Sequence, residues 1–310
     1  MVVLQQMVIF FILMGVGFAA RKTDILPREF LPKLSSIIAN IAGPCLIMSG
    51  AIGAGERLSL SDAGFALAVF AVLIAAMVAI GWALPALLRY PTSQRPTINF
   101  AFWMTNIGYL GMPFAASVYG HEAQIYVVLY LIPNNFLLYS YAIWLMRSNK
   151  RASGAMGSGS NLRGLLNPGM AAGIVTIVLY FGGIELPHVL AAPITMLGST
   201  TAPLAMLLVG AQLVDERLGA LFRDVRLMGF TVLKMIVLPI MLLLALFPFV
   251  ADMDLLAACL AIVAMPSGVL VSAFSLLYDP ENAPVATRTV AFTTFVAVIT
   301  VPLVALAVGL

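Results

Sequence analysis

Long apolar stretches recur along almost the whole chain, and they restrict its fold more than any other feature. A membrane-spanning helix needs about 20 apolar residues, because each residue adds about 1.5 Å along the helix axis. Ten segments of the chain meet this requirement, so the sequence predicts an all-α polytopic membrane protein with ten transmembrane helices. The predicted helices lie near residues 2–20, 30–52, 64–88, 97–119, 123–146, 166–183, 190–213, 227–249, 255–278 and 285–309.

The residue composition agrees with burial in lipid. Hydrophobic residues make up 62% of the chain and charged residues only 9%, whereas roughly a quarter of an ordinary globular domain is charged. A soluble fold would lack polar side chains to cover its surface, so the expected partner is the lipid bilayer. No basic cluster is interleaved with aromatic residues, and no nucleic-acid binding is expected. Cys45 and Cys259 have no metal-binding or redox spacing, so we expect neither a metal nor a cofactor.

One polar stretch divides the chain into two parts. Residues 147–163 are rich in glycine and serine, which is typical of a flexible linker. This linker separates a first five-helix repeat, residues 1–146, from a second, residues 164–310. Because five is an odd number, the second repeat must enter the membrane with the opposite orientation. The sequence therefore predicts a 5+5 inverted repeat, an architecture common among secondary transporters.

Helix-breaking residues occur at matching places in the two repeats. The second helix of each repeat has a proline followed by Gly-Ala, with Pro44 in the first repeat and Pro203 in the second. The fourth helix of each repeat is interrupted by glycine and proline, in NIGYLGMP at 106–113 and in AMPSG at 264–268. The pattern predicts that helices 4 and 9 are both broken.

Positive charge is distributed very unevenly between the loops. Lysine and arginine concentrate in the cytoplasmic loops of membrane proteins. With the N-terminus outside, 14 of the 16 Lys and Arg residues fall in cytoplasmic loops, while Arg57 lies outside and Lys234 within a helix. We therefore expect both termini outside the membrane and the central linker in the cytoplasm. The cytoplasmic residues are Arg21, Lys22, Arg28, Lys33, Arg89, Arg95, Arg147, Lys150, Arg151, Arg163, Arg217, Arg223, Arg226 and Arg288.

The two interruptions are the strongest candidates for a binding site. Proline lacks a backbone N–H and glycine tolerates non-helical dihedral angles, so helices unwind at such residues. Unwound backbone at membrane depth is tolerated where protein or a water-filled cavity satisfies it, and half-helix N-termini there would attract an anion. The alternative is a pair of ordinary proline kinks. The candidate residues in the two interruptions are Gly108, Gly111, Pro113, Pro266, Ser267 and Gly268.

Four segments resemble one family of membrane proteins. NIGYLGMPFAASVYG at 106–120 and AMPSGVLVSAFSLLY at 264–278 are similar to the two crossover helices of the auxin efflux carrier superfamily. The opening MVVLQQMVIFFILMGVGFAARKTDILP and the closing run ITVPLVALAVGL resemble bacterial members. That superfamily includes the plant PIN auxin exporters and bacterial permeases for malate or malonate.

The resemblance implies a specific organisation and function. Helices 1, 2, 6 and 7 would form a scaffold, and helices 3–5 and 8–10 a mobile transport domain whose broken helices cross near Pro113 and Pro266. We expect a secondary active or facilitative transporter of small organic anions, mono- or dicarboxylates, that works by elevator-type alternating access. The resemblance also implies a location in the bacterial inner membrane and a homodimer formed through the scaffold helices.

Four polar residues within predicted helices are further candidates for substrate contact. Asn106 stands where the resemblance places a substrate carboxylate contact, and its amide donates hydrogen bonds without a charge to desolvate. The alternative for Asn106 is a core asparagine bonded within its helix. Asn134 and Asn135 either line the site or satisfy carbonyl groups freed by Pro133. Lys234 either attracts the substrate or forms an ion pair, or it snorkels to the cytoplasmic interface or pairs structurally within the protein.

Other functions have less support in the residues. An anion channel or a non-transporting membrane sensor on the same scaffold is the main alternative to a carrier. An intramembrane enzyme would need nucleophiles or metal ligands clustered at membrane depth. His121 and His188 both fall in outward loops and no such cluster is found, so no catalytic activity is expected. The predicted helices contain no Asp or Glu, which disfavours coupling to sodium.

Overall fold

The computed structural model describes residues 2–49, 52, 58–146, 168–214 and 222–309, and most of them are helical. The predicted linker at 147–163 lies outside the described residues. Short 3₁₀ or π-helical turns extend or join several of the helices. The helices are α1 Val2–Lys22, α2 Leu31–Ile37, α3 Gly43–Ser49, α4 Leu60–Leu87, α5 Arg95–Trp103, α6 Met112–Val118, α7 His121–Leu137, α8 Pro168–Gly182, α9 His188–Ser199, α10 Thr201–Leu213, α11 Val225–Val232, α12 Leu238–Leu246, α13 Met253–Val263, α14 Val269–Tyr278 and α15 Ala283–Val308.

Six helical segments of the described chain are long and apolar enough to cross a membrane. Many of their large apolar side chains are exposed, as are those of α1, with Ile12 at 59%, Val72 at 63% and Leu306 at 68%. Exposed apolar faces of this extent are stable in lipid but not in water. The protein is therefore an all-helical protein embedded in a membrane. The six segments are Arg28–Ser49, Leu60–Leu87, Ala123–Met146, His188–Leu213, Val225–Leu246 and Pro280–Val308.

Two of the predicted transmembrane stretches are not continuous helices. In the fourth stretch, α5 ends at Trp103 and the chain becomes helical again at Ile107. In the ninth stretch, α13 ends at Val263 and α14 begins at Val269. Both interruptions fall on or directly beside the glycine- and proline-containing motifs, where the missing N–H groups and the tolerant dihedral angles weaken the helix.

Three prolines within the membrane segments are each preceded by a π-helical turn. A proline removes one N–H group and clashes with the carbonyl group of the preceding turn, and a wider turn relieves that clash. Each of these turns runs directly into the α-helix that follows it. The pairs are Ile38–Ala42 before Pro44, Ile107–Gly111 before Pro113, and Leu233–Val237 before Pro239.

Helices α1 and α10 pack against each other at two glycines. A β-carbon added to Gly17 would lie 2.2 Å from the carbonyl oxygen of Leu207. A β-carbon added to Gly210 would lie 1.9 Å from the carbonyl oxygen of Met14. Only glycine allows two helix backbones to approach this closely. The first and seventh predicted helices are thereby held side by side.

Candidate functional site

The two interruptions, residues 104–106 and 264–268, cross each other and are joined by main-chain hydrogen bonds. These residues are called the crossing below. The N–H of Asn106 donates to the carbonyl oxygen of Pro266 over 2.7 Å. The N–H of Gly268 donates to the carbonyl oxygen of Met104 over 2.8 Å. Each unwound segment therefore satisfies part of the backbone of the other, as irregular backbone in a membrane requires.

Ser267 satisfies a carbonyl group that the end of α5 leaves free. It pairs with Thr105 in an isolated antiparallel β-bridge at the centre of the crossing. Its hydroxyl donates to the carbonyl oxygen of Ala101 over 2.7 Å, and its N–H donates to the hydroxyl of Thr293 on α15 over 3.2 Å. Ser267, Thr105 and Thr293 are all buried. Because unpaired polar groups are costly away from water, these bonds stabilise the crossing.

A cavity of about 250 Å³ lies against the crossing. Its volume is close to the lower end of the range for small-molecule sites, about 300–1,000 Å³. The crossing and the start of α14 form one wall, α7 forms a second, and residues 38–47 with the start of α8 form a third. Among the described residues, no charged side chain lines the cavity. The polar side chains in its walls are those of Asn40, Thr105, Asn106, Asn134 and Asn135.

Asn106 has a free amide group in the cavity wall. Its side chain is only 2% exposed, and its Nδ2 atom has no hydrogen-bond partner in the described part of the chain. Its carbonyl oxygen accepts hydrogen bonds from the N–H groups of Leu110 and Gly111, each over 3.0 Å. The residue therefore begins the second half of a broken helix. A buried donor without a partner costs roughly 1–3 kcal/mol, and a bound acceptor would remove that cost.

The helix ends beside Asn106 add backbone donors to the cavity. Ile107 and Gly108 begin one half-helix, Val269 and Leu270 begin the other, and all four line the cavity. The main-chain hydrogen bonds between described residues do not use the N–H groups of these four. A helix N-terminus carries about half an elementary positive charge. Two such ends and an amide donor form a favourable environment for a carboxylate.

Asn134 and Asn135 lie in the opposite wall, on α7. The Oδ1 atom of Asn134 accepts a hydrogen bond from the hydroxyl of Tyr130 over 3.3 Å, which leaves its NH₂ group as a donor. Asn134 is 2% exposed and Asn135 is half-buried. Both residues therefore lie at the cavity, as the first of the two alternatives for this pair requires.

Three other predicted site residues with described side chains, Gly111, Pro266 and Ser267, do not line the cavity. Gly111 packs against α13, where an added β-carbon would lie 2.9 Å from the carbonyl oxygen of Ala261. Pro266 and Ser267 belong to the crossing itself, and Pro113 lies in the first turn of α6. The predicted residues that the structure brings together around the cavity are Asn106, Gly108, Gly268, Asn134 and Asn135.

Lys234 contacts the end of α5 and does not line the cavity. Its side chain is 0% exposed, so it does not snorkel to the interface. Its Nζ atom donates to the carbonyl oxygen of Phe102 over 2.5 Å and lies 5.7 Å from the centroid of the Phe102 ring. Lys234 is thus bound to the main chain just before the crossing.

Sequence reasoning missed the third wall of the cavity. Ile38, Gly43, Pro44 and Ile47 of the second predicted helix line it. Pro44 was a signal, since a proline marks a distorted turn. Nothing in the sequence indicates which face of this helix meets the crossing. That face depends on how helices far apart in the chain pack together.

These features define the chain as a helical membrane protein with a solute-sized cavity at the crossing of two interrupted segments, the class that includes secondary transporters. Within the described residues, no group of His, Cys, Asp or Glu could hold a metal ion. The chain belongs to the membrane transport protein family, that of the auxin efflux carriers, whose family model matches residues 2–305. The resemblance seen in four sequence segments is thereby confirmed, and the family is one of transporters. No curated protein matches the chain.

Proposed function

We propose that the chain is a carrier for small organic anions, mono- or dicarboxylates, which binds a substrate carboxylate at the crossing. One observation carries the proposal: Nδ2 of Asn106 has no hydrogen-bond partner among the described residues and is buried in the wall of a cavity of about 250 Å³ between two helix N-termini. A carboxylate there would accept hydrogen bonds from Nδ2 of Asn106 and from free N–H groups of both half-helices. Ile47 and Leu131 would contact the apolar part of the substrate.

The charge of the cavity is suited to one carboxylate group. The two helix N-termini together supply about one elementary positive charge, half from each. This charge comes from fixed backbone dipoles, which need no reorganisation when an anion arrives. Asn134 adds a neutral donor from the opposite wall. A substrate with a single carboxylate near the crossing would thus be bound without a charged side chain.

The proposal includes ten membrane spans in a 5+5 inverted repeat, supported by bonds at corresponding helix starts. Thr97 in the first turn of α5 donates to the carboxylate of Asp279, just before the tenth predicted helix, over 3.0 Å. The hydroxyl of Tyr126, near the start of the fifth predicted helix, donates to Asp252, which caps α13 in the ninth. Helix 4 thus bonds to helix 10, and helix 9 bonds to helix 5. In a 5+5 repeat helix 9 corresponds to helix 4 and helix 5 to helix 10, so the two contacts are equivalent.

The position of the cavity supports elevator-type alternating access. Pro44 of the second predicted helix and Pro168 of the sixth belong to the proposed scaffold, and both line the cavity. The crossing forms a different wall and belongs to the proposed transport domain. A substrate bound between the two groups would be carried by the crossing as it moves past the scaffold. This movement would expose the substrate to one side of the membrane and then to the other.

Counterflow in proteoliposomes tests the carrier proposal. Liposomes containing the purified protein are preloaded with unlabelled indole-3-acetate or malonate, and entry of the same radiolabelled anion is measured. We expect transient accumulation above the level of protein-free liposomes, because an alternating-access carrier exchanges bound substrate across the membrane. Anion conductance without counterflow would indicate a channel. Absence of both would indicate a protein that does not transport these anions.

Substitution of Gly268 tests whether the crossing is needed for transport. A β-carbon at Gly268 would lie 3.0 Å from the carbonyl oxygen of Thr105, whereas nothing lies within 4 Å of one at Gly64. Gly268→Val should therefore abolish counterflow by displacing the crossing, and Gly64→Val should preserve it. Equal counterflow in the two variants would remove the crossing from the transport mechanism.

A further inference from the structure

Among the described residues, Lys234 is the only buried lysine or arginine side chain. It lies in the π-helical turn Leu233–Val237, just before Pro239. Turns of this kind within α-helices are frequent at functional sites. An ionisable side chain inside a membrane segment is costly, and such residues are generally functional. Lys234 does not line the cavity, so any effect on a bound anion must act without direct contact.

The amino group of Lys234 is bound to the main chain at the edge of the crossing. It donates to the carbonyl oxygen of Phe102 over 2.5 Å, and Phe102 is the penultimate residue of α5. The Phe102 ring packs edge-on against the Phe230 ring, with 6.0 Å between centroids, and thus against the helix turn that precedes Lys234. The last carbonyl groups of a helix carry partial negative charge, which a cation stabilises. Lys234 therefore fixes the end of α5.

This contact offsets only part of the positive charge of an ammonium group. A helix C-terminus supplies about half an elementary negative charge. No carboxylate of the described chain forms an ion pair with Lys234. The one buried acid of these residues, Asp279, is bonded to Thr97 and Asn282 instead. A protonated Lys234 thus leaves net positive charge beside the crossing.

The cavity lies close enough for this charge to act on a bound anion. Phe102 and Asn106 are four residues apart, which limits the separation of their Cα atoms to about 14 Å even in a fully extended chain. Charges separated by protein interact more strongly than charges in water and are screened less by salt. Building on the carrier function proposed above, we infer that Lys234 is a positioning residue that holds the crossing and carries the counter-charge that moves with the substrate anion.

A counter-charge that moves with the substrate has a measurable electrical consequence. With a bound monoanion, the substrate and Lys234 together have no net charge, so the membrane potential does not drive the loaded step. A neutral residue at this position would leave the charge of the anion uncompensated. The potential would then act on the loaded step. One elementary charge that crosses 100 mV changes an equilibrium by up to about fifty-fold.

Homo-exchange of radiolabelled indole-3-acetate isolates the loaded step, because the carrier never returns empty. A potassium gradient with valinomycin sets the potential across the proteoliposome membrane. For the unsubstituted protein we expect exchange rates within about twofold of each other with and without a potential of 100 mV. For Lys234→Gln we expect at least threefold slower exchange when the potential is imposed. Lys33→Gln makes the same chemical change at an exposed position of α2 and should behave as the unsubstituted protein.

Two further variants separate charge from hydrogen bonding and from folding. Lys234→Met has similar length but cannot donate to the Phe102 carbonyl, whereas the glutamine amide can. Both neutral variants should acquire the potential dependence, and only the methionine variant should also melt at a clearly lower temperature in detergent. Lys234→Arg keeps the charge and the donors and should restore exchange that does not depend on potential.

The outcomes distinguish this inference from the proposed function. Potential-independent exchange in Lys234→Gln and Lys234→Met would overturn the inference and leave the carrier function intact. With malonate as the probe, exchange by the neutral variants should respond to the membrane potential more strongly than exchange by the unsubstituted protein. The difference should correspond to the movement of one elementary charge. No exchange of either anion by the unsubstituted protein would overturn the proposed function, and the inference with it.

Discussion

Asn106 uses its backbone for the crossing and leaves its side chain free for a ligand. The backbone N–H binds the carbonyl group of Pro266, and the backbone carbonyl accepts two N–H groups of the following helical turn. The side-chain amide nitrogen has no partner within the described residues. A donor held by its own main chain keeps its orientation before a substrate arrives, which lowers the ordering cost of binding.

Asn106→Ala should weaken transport while leaving the protein folded. A hydrogen bond to a charged group contributes about 1.5–3 kcal/mol, so we expect roughly a 10- to 150-fold loss of apparent affinity in the proteoliposome assay. Asn40→Ala is the matched control, because Asn40 also lines the cavity but its Nδ2 already donates to the carbonyl oxygen of Ser36 over 2.9 Å. If both variants bind and transport like the parent protein, Asn106 has no role in binding.

Thr293 supports the crossing from α15. Its hydroxyl donates to the carbonyl oxygen of Thr289 over 2.7 Å and accepts the N–H of Ser267 over 3.2 Å. Thr293→Val would leave that buried N–H unpaired, and we expect a loss of about 1–3 kcal/mol, seen as a lower melting temperature in detergent. Thr300→Val removes a buried hydroxyl whose bond among the described residues is to its own helix, so it should have the smaller effect. A reversed order would show that the crossing does not depend on this bond.

At the scale of helices, the sequence predicts where the interruptions fall but not what satisfies them. Glycine and proline act locally, so the motifs at 106–113 and 264–268 are sufficient to locate the interruptions. The partners are distant in sequence: Ser267 and Ala101 are 166 residues apart, and Lys234 and Phe102 are 132 apart. No local pattern encodes such pairs. For this reason the sequence leaves Lys234 open between substrate attraction, an ion pair, snorkelling and structural pairing, whereas the structure shows its amino group bonded at the end of α5.

Close helix contact through glycine leads to a prediction for α1. Gly17 faces the backbone of α10. Gly15, two residues earlier on the same helix, has nothing within 4 Å of an added β-carbon. Gly17→Ala should lower stability by about 1–3 kcal/mol through overpacking. Gly15→Ala should leave it unchanged or raise it by up to about 1 kcal/mol, because alanine favours the helix. Thermal unfolding in detergent compares the two, and equal destabilisation would contradict the observed packing of α1 on α10.

At the scale of the whole molecule, the sequence predicts a membrane protein because the length of an apolar stretch is a property of continuous sequence. The cavity is different, since it is assembled from residues 38–47, 104–112, 131–135, 168–169 and 268–270. Their relative positions depend on helix contacts such as Gly17 with Leu207, which a single sequence does not display. The sequence therefore identifies residues in two walls of the cavity but neither the third wall nor how the walls enclose it.

The distribution of positive charge predicts how the molecule is oriented, and single-cysteine labelling tests it. Cys259 is fully buried, so only the half-buried Cys45 needs replacement by serine. A cysteine introduced at Ser158 in the linker should react with a membrane-impermeant maleimide only after the membrane is permeabilised. A cysteine appended after Leu310 should react in intact spheroplasts, because five predicted helices separate it from the linker and the positions of 14 of the 16 basic residues favour a cytoplasmic linker. If each cysteine instead shows the labelling expected of the other, the orientation is the reverse of the predicted one. Reaction of both sites from the same side would require an even number of spans in the second half, and the inverted repeat would then be wrong.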